Sequence, residues 1–275
     1  MGGRAGHVAG ASEAPGPGGV VPAGGGGAVP ASGGDPHRPD GAGAFGRDTA
    51  LASLAIARRF VAGATMWCVS PPWPWHARHV AVEFVHPVIV GKRALPAVAV
   101  DDPDVVDALR LKSRRPDIVV AIAAPDDEAV VTLMRHARVW GLLTVWIGAG
   151  SARPEPGAAD HVLWSDDDDD EVAAVFGGGV VLTYHLLWEL VQVCFEHPGL
   201  LTGAPEDGGG EVCVTCSDEG RVGEVLAVLP GHRASVRTAA GVEDVDASLI
   251  DVPARGALVL LHAGSAVATV EGSPR

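Results

Sequence analysis

Positive charge is scarce in this sequence. It sets 20 Lys and Arg against 34 Asp and Glu, a net charge of -14, and no Lys/Arg cluster is large enough to reverse that balance locally. A surface that repels phosphate lacks the attraction that supplies most non-specific nucleic-acid affinity, which excludes nucleic acid as a partner. Long apolar runs are missing too. No stretch reaches the roughly eighteen consecutive apolar residues of a membrane span, and the N-terminus carries glycine and proline where a secretory signal would be apolar. The expectation is a soluble, cytoplasmic protein with no membrane partner. Cysteine is sparse: four in 275 residues are too few for a disulfide framework. Two of them stand as Cys213-Val-Thr-Cys216, a spacing that suits chemistry better than structure in a reducing compartment.

From Met1 to about Phe45 large apolar residues are nearly absent, and Gly, Ala, Pro and Ser dominate. Such a segment cannot bury enough surface to offset the entropy of ordering, so residues 1–46 read as disordered. The cluster Gly24 to Gly27 follows no strand and opens no helix, which removes the context a phosphate-binding loop requires.

What is present begins near Asp48, a plausible cap before Leu51, Leu54, Ala55 and Phe60 at helical spacing, with Gly63 as a stop. Short apolar runs follow at Thr65 to Val69, Leu95 to Val100, Asp117 to Ala123, Leu142 to Ile147 and His161 to Trp164. Helical stretches separate them near Trp75 to Val88, Asp104 to Leu111, Asp126 to Trp140 and Asp168 to Phe195. Continuous apolar strands alternating with helices predict an α/β domain over 47–198, a parallel sheet covered on both faces. After a Gly/Pro/Asp linker at 199–210 the pattern changes. Val222 to Leu229, Ala234 to Thr238, Val242 to Ile250 and Ala257 to His262 are punctuated by turns at Pro230-Gly231 and Gly241. This predicts a small all-β, OB-like barrel over 211–272.

Four segments give the first domain a resemblance to the SIS (sugar isomerase) fold of phosphoheptose isomerases. They are His79-Val-Ala-Val-Glu83, Arg93-Ala-Leu-Pro-Ala-Val-Ala-Val100, Ala159-Asp160-His161-Val162 and His185-Leu-Leu-Trp-Glu-Leu190. The resemblance implies carbohydrate-derivative binding and a metal site, zinc among the candidates, with His79, Glu83 and His185 as ligands. The family's further glutamine ligand aligns with Gly177. His79 and Glu83 lie four apart on one helix face; the simpler reading is a surface pair, with His185 as a core histidine. The family's sugar-phosphate cradle needs backbone amides and hydroxyls, yet the matching segments read Ser70-Pro-Pro-Trp-Pro-Trp75 and Ala121-Ile-Ala-Ala-Pro-Asp126. Prolines donate no amide, alanines carry no hydroxyl, and Asp126 with Asp127 would repel phosphate. All seven tryptophans, Trp67, Trp73, Trp75, Trp140, Trp146, Trp164 and Trp188, fall in this domain. Core filling is the simplest role for them; plugging a vacated pocket or forming a partner surface is the alternative. The run Asp166 to Asp170 suits a helix start, where the dipole favours acidic residues. His86, His136 and His197 have no partner at motif spacing.

The C-terminal segment resembles the HypC/HupF family of hydrogenase-maturation chaperones. The match rests on Cys213-Val-Thr-Cys216, Arg221-Val-Gly-Glu-Val225, Val236 through Val245, and Gly256 to Val267 with its His262-x-Gly264 turn. It implies a non-catalytic factor for nickel-iron hydrogenase maturation. Cys213 or Cys216 would present a transient iron-cyanide-carbonyl unit, with a HypD-type protein and the hydrogenase large-subunit precursor as partners. In that reading the SIS-like domain serves homodimerisation or docking. His262 also reads simply as a turn residue. The alternative is an enzyme, a phosphosugar isomerase or sugar-phosphate-binding SIS protein with an accessory barrel. A third reading gives the cleft a different, unphosphorylated ligand.

Overall fold

A computed structural model describes residues 41–165, 178–202 and 220–270. All of them belong to one compact unit, Pro39–Arg275. The chain enters through α1 (Gly41–Val61), then alternates β1 (Met66–Val69), α2 (Pro74–Val85), β2 (Ala97–Val100), α3 (Val105–Lys112), β3 (Ile118–Ile122), α4 (Glu128–Val139), β4 (Leu143–Ala149) and β5 (His161–Ser165). Helix α5 (Gly179–Glu196) closes the α/β part.

The five strands form one parallel sheet in the order β2-β1-β3-β4-β5. Every residue of β3 is buried, and the pleat sends its side chains alternately to two cores. Ile118, Val120 and Ile122 enter a core with α1, α2 and α5. Val119 and Ala121 enter a second core with α3 and α4. The parallel sheet covered on both faces is therefore the observed architecture. Helix α4 shows why such a segment becomes a helix: the Asp127 side chain accepts from Val130 N at 2.9 Å as an N-cap, and Val130, Leu133, Met134 and Ala137 form one buried stripe.

Several boundaries differ from the sequence expectation: α5 starts at Gly179, after Gly178 at φ 77°, rather than near Asp168, and α2 ends at Val85 rather than Val88. Helix α1 begins at Gly41, inside the segment read as disordered, and Asp48 is an interior residue rather than a cap. Phe45 packs against the core of α1, α2 and α5, which gives this Gly/Ala-rich turn an apolar contact to hold it. Pro198–Leu200 forms a 3₁₀ turn at the expected start of the linker. The expected strand Val242 to Ile250 stops at Asp246, where the Asp246 carboxylate accepts from Ser248 N and turns the chain. The Asp166 to Asp170 run lies outside the described residues.

The C-terminal part is a closed five-stranded barrel of β6 (Arg221–Leu229), β7 (Arg233–Thr238), β8 (Gly241–Asp246), β9 (Leu258–His262) and β10 (Ser265–Thr269), in the order β10-β8-β7-β6-β9. Neighbours are antiparallel except β8 and β10, which meet in parallel at Asp246 and Ser265. This is the OB-like barrel read from the turn spacing. Val225, Val236, Val245, Val259 and Leu261 fill its interior, and closure leaves no open sheet edge.

The barrel is docked on α3 and α4. Glu224 points out of β6 and has no solvent exposure. Its carboxylate accepts from Arg110 Nε at 2.6 Å and from Trp140 Nε1. His136 Nδ1 lies 3.3 Å away without the alignment of a hydrogen bond. Arg237, opposite Glu224 on β7, sets its guanidinium 5.0 Å from the centroid of the Trp140 ring and donates to the Arg110 and Ser113 carbonyls. Burial alone would push the Glu224 carboxyl up, but the contacts from His136, Arg110 and Trp140 and the Arg110 charge outweigh it, leaving the group below its ordinary value.

Candidate metal centre and cleft

Helix α2 places His79 and Glu83 one turn apart, and α5 brings His185 beside them. His79 Nε2 is 3.4 Å and His185 Nδ1 is 3.8 Å from Glu83 Oε1. The three ligand atoms all lie within 4.8 Å of one another. Two donors about 2 Å from a tetrahedral ion are separated by about 3.3 Å, so small side-chain adjustments suffice to close this set on a zinc-class metal. His185 is not the core histidine of the simpler reading: like His79 it is 38% exposed, while Glu83 is 16% exposed. Exposure on the imidazole side leaves room for a further ligand atom. Gly177, the position of the resembled family's glutamine, lies outside the described residues.

Tyr184, which sequence reasoning did not single out, completes the arrangement. Its hydroxyl is 2.9 Å from His79 Nδ1, and the buried ring packs edge-on at 5.2 Å from His79. A metal-bound imidazole holds its orientation through its second nitrogen; here Nδ1–H donating to the phenol oxygen would leave the Nε2 lone pair facing Glu83. Burial, and secondarily the Glu83 charge, push the Tyr184 hydroxyl up to about 12, so it remains a neutral phenol. The only sequence signal for Tyr184 was its place one residue before His185.

A cleft of about 620 Å³ opens at the carboxyl ends of β3 and β4, where open parallel sheets bind ligands. Its lining includes Trp73 from the β1–α2 loop, Asp126 before α4, Arg153 and Glu155 after β4, and Val180 of α5. Trp73 lies edge-on to buried His76 at 6.4 Å, and His76 edge-on to Tyr184 at 5.8 Å, so a line of rings joins the cleft to the histidine cluster. The other tryptophans divide as their surroundings dictate. Trp140, Trp146, Trp164 and Trp188 are buried core residues, Trp67 is half-buried with its Nε1 donating to Asp117 Oδ2 at 2.9 Å, and Trp75 is 39% exposed and stacks on His76.

His262 and Gly264 belong to the exposed β9–β10 turn, with Ala263 and Gly264 at φ 47° and 80°. Cys213 and Cys216 lie outside the described residues. His136, given no role from sequence, is buried against Glu224.

No protein-family model and no curated protein matches the chain. Among solved structures it is similar to a phosphoheptose isomerase from Francisella tularensis, at 17% identity over 55% of this chain and 88% of that one, with a TM-score of 0.46. A phosphoheptose isomerase from Neisseria gonorrhoeae aligns at 15% identity over 54% of this chain and 86% of that one, with a TM-score of 0.43. The Vibrio vulnificus NanR protein, complexed with ManNAc-6P, aligns at 14% identity over 62% and 69% of the two chains, with a TM-score of 0.38. No helix among the described residues is long and apolar enough to cross a membrane.

Proposed function

We propose that the chain is a SIS-type protein that binds a carbohydrate derivative and holds a transition metal between α2 and α5. One observation carries this reading: residues 79, 83 and 185, drawn from two helices and separated by about a hundred positions, bring three ligand atoms within 4.8 Å of one another. When bound, a zinc-class ion would act as a Lewis acid on ligand hydroxyl or carbonyl oxygens. The residues have distinct duties. His79 and His185 supply neutral nitrogen donors, Glu83 supplies the charge that offsets the cation, and Tyr184 fixes the His79 ring. Titration of the full chain with Co²⁺ tests this. One visible-absorbing site per chain is expected, weakened at least tenfold in H79A and E83Q; no binding, or binding indifferent to both changes, defeats the reading.

We propose as a second reading the nickel-iron hydrogenase maturation factor. Its support is the OB-like barrel with an exposed His262-Ala263-Gly264 turn, together with the Cys213-Val-Thr-Cys216 sequence just before β6. Fold alone does not specify function. In this reading a thiolate, a soft ligand suited to low-valent iron, presents the iron-cyanide-carbonyl unit to the precursor. C213A and C216A, made separately and assayed for maturation of a cognate hydrogenase, decide it: at least one must abolish activity, and full activity in both removes the mechanism.

A further inference from the structure

We propose that the cleft at the ends of β3 and β4 binds an unphosphorylated, polyhydroxylated ligand, a free sugar or neutral derivative, and discriminates against its phosphate ester. This rests on the carbohydrate reading above and names its substrate class. The volume, about 620 Å³, suits a small molecule. What decides the class is how completely the usual anion donors are withdrawn. The loop after β1 carries Pro71, Pro72 and Pro74, which have no amide hydrogen. The Ser70 hydroxyl donates to the Ile122 carbonyl at 2.7 Å, so its proton is spent inside the fold.

The N-terminus of α4, which elsewhere would attract a phosphate, is occupied by the protein's own carboxylate. Asp127 caps Val130 N at 2.9 Å. Asp126 and Glu155 place two further carboxylates on the lining. Against them stands Arg153, which already interacts within the chain. A phosphate dianion would enter a net negative mouth in which Arg153 is the cation and Ser151 the hydroxyl on the lining, set against Asp126 and Glu155.

The same residues recognise a neutral polyol. Trp73 offers a flat ring to the C–H face of a sugar. Carboxylates of the Asp126 and Glu155 kind accept hydrogen bonds from hydroxyls and need no opposing charge. Ser151 adds a hydroxyl of either polarity.

Isothermal titration of the full chain with matched pairs tests the proposal: fructose, sedoheptulose and N-acetylmannosamine, each against its terminal phosphate ester. At least one free sugar should bind tenfold or more tightly than its ester. W73A should abolish that binding, and the double change D126N/E155Q should narrow the gap by admitting the ester. Tighter or equal binding of every ester, or no binding of any pair, overturns it. The Co²⁺ titration on the same preparation reads the metal site separately, so failure of one leaves the other standing or falling on its own result.

Discussion

Arg110 on α3 and Glu224 on β6 meet at 2.6 Å across the boundary between the α/β sheet and the barrel, with the carboxylate wholly sealed from solvent. An ion pair in that position is held by geometry as much as by charge: Trp140 donates to the same carboxylate and Arg237 covers the Trp140 ring. Removing Glu224 leaves the largely buried Arg110 with only the exposed Asp107 as a counter-charge and strips the buried Trp140 Nε1 of its acceptor. E224A is therefore expected to destabilise the protein by about 3–5 kcal/mol, measured by urea unfolding. The double change R110M/E224L should recover most of that loss.

The same residue gives an acid dependence with a definite sign. The folded Glu224 carboxyl sits below its ordinary value, so its stabilisation is complete above the unfolded value, about pH 4.3, and is lost as pH falls through the folded one. Wild-type unfolding midpoints at pH 6 and pH 3.5 should differ more than those of E224Q. Equal differences would mean that other carboxylates set the acid limit.

Tyr184 is the chain's one tyrosine, so phenolate absorbance reports it alone. Its titration midpoint should lie near 12, raised first by burial and then by Glu83. In E83Q the midpoint should fall. Y184F, which keeps the ring and removes the hydroxyl, should weaken Co²⁺ binding about 10–100-fold, the range of outer-shell losses at metal-bound histidines. Unchanged affinity would reduce Tyr184 to a packing residue.

Gly148 on β4 tolerates no side chain. A Cβ there would stand 2.2 Å from the Trp164 ring, which is buried and anchored by Trp164 Nε1 donating to the Gly150 carbonyl at 2.8 Å. G148A should cost about 1–3 kcal/mol, as overpacked cores do, seen as a lowered thermal midpoint. Because Gly148 lines the cleft, the variant should also disturb ligand binding; G150A, with no atom within 4 Å of its added carbon but a positive φ, separates backbone strain from crowding.

The sheet strands were readable because the central ones, buried on both faces, are unbroken apolar runs, and each of the five lies within two residues of its expected place; in the barrel, where one face is solvated, the Val242 to Ile250 expectation overran β8 by four residues. The pair His79 and Glu83 was readable because helical spacing is local. The cluster of Glu224, Arg110, His136 and Trp140 was not, since no period links positions on three separate elements; the charges of Glu224 and Arg110 suggest surface, and Trp140 suggests only core filling. The start of α1 was hidden for another reason. Its first turn is Gly and Ala, and what orders it is a distant contact of Phe45.

The pleat of β3 and β4 has a further result for how the molecule is laid out. His79, Glu83 and His185 sit with α2 and α5 behind one face of the sheet, while the barrel is fastened to α3 and α4 behind the other. The sheet is a partition. Among the described residues, any path from the histidine cluster to the barrel runs around the rim of the sheet rather than through it. The two halves thus share one scaffold while facing away from each other across it.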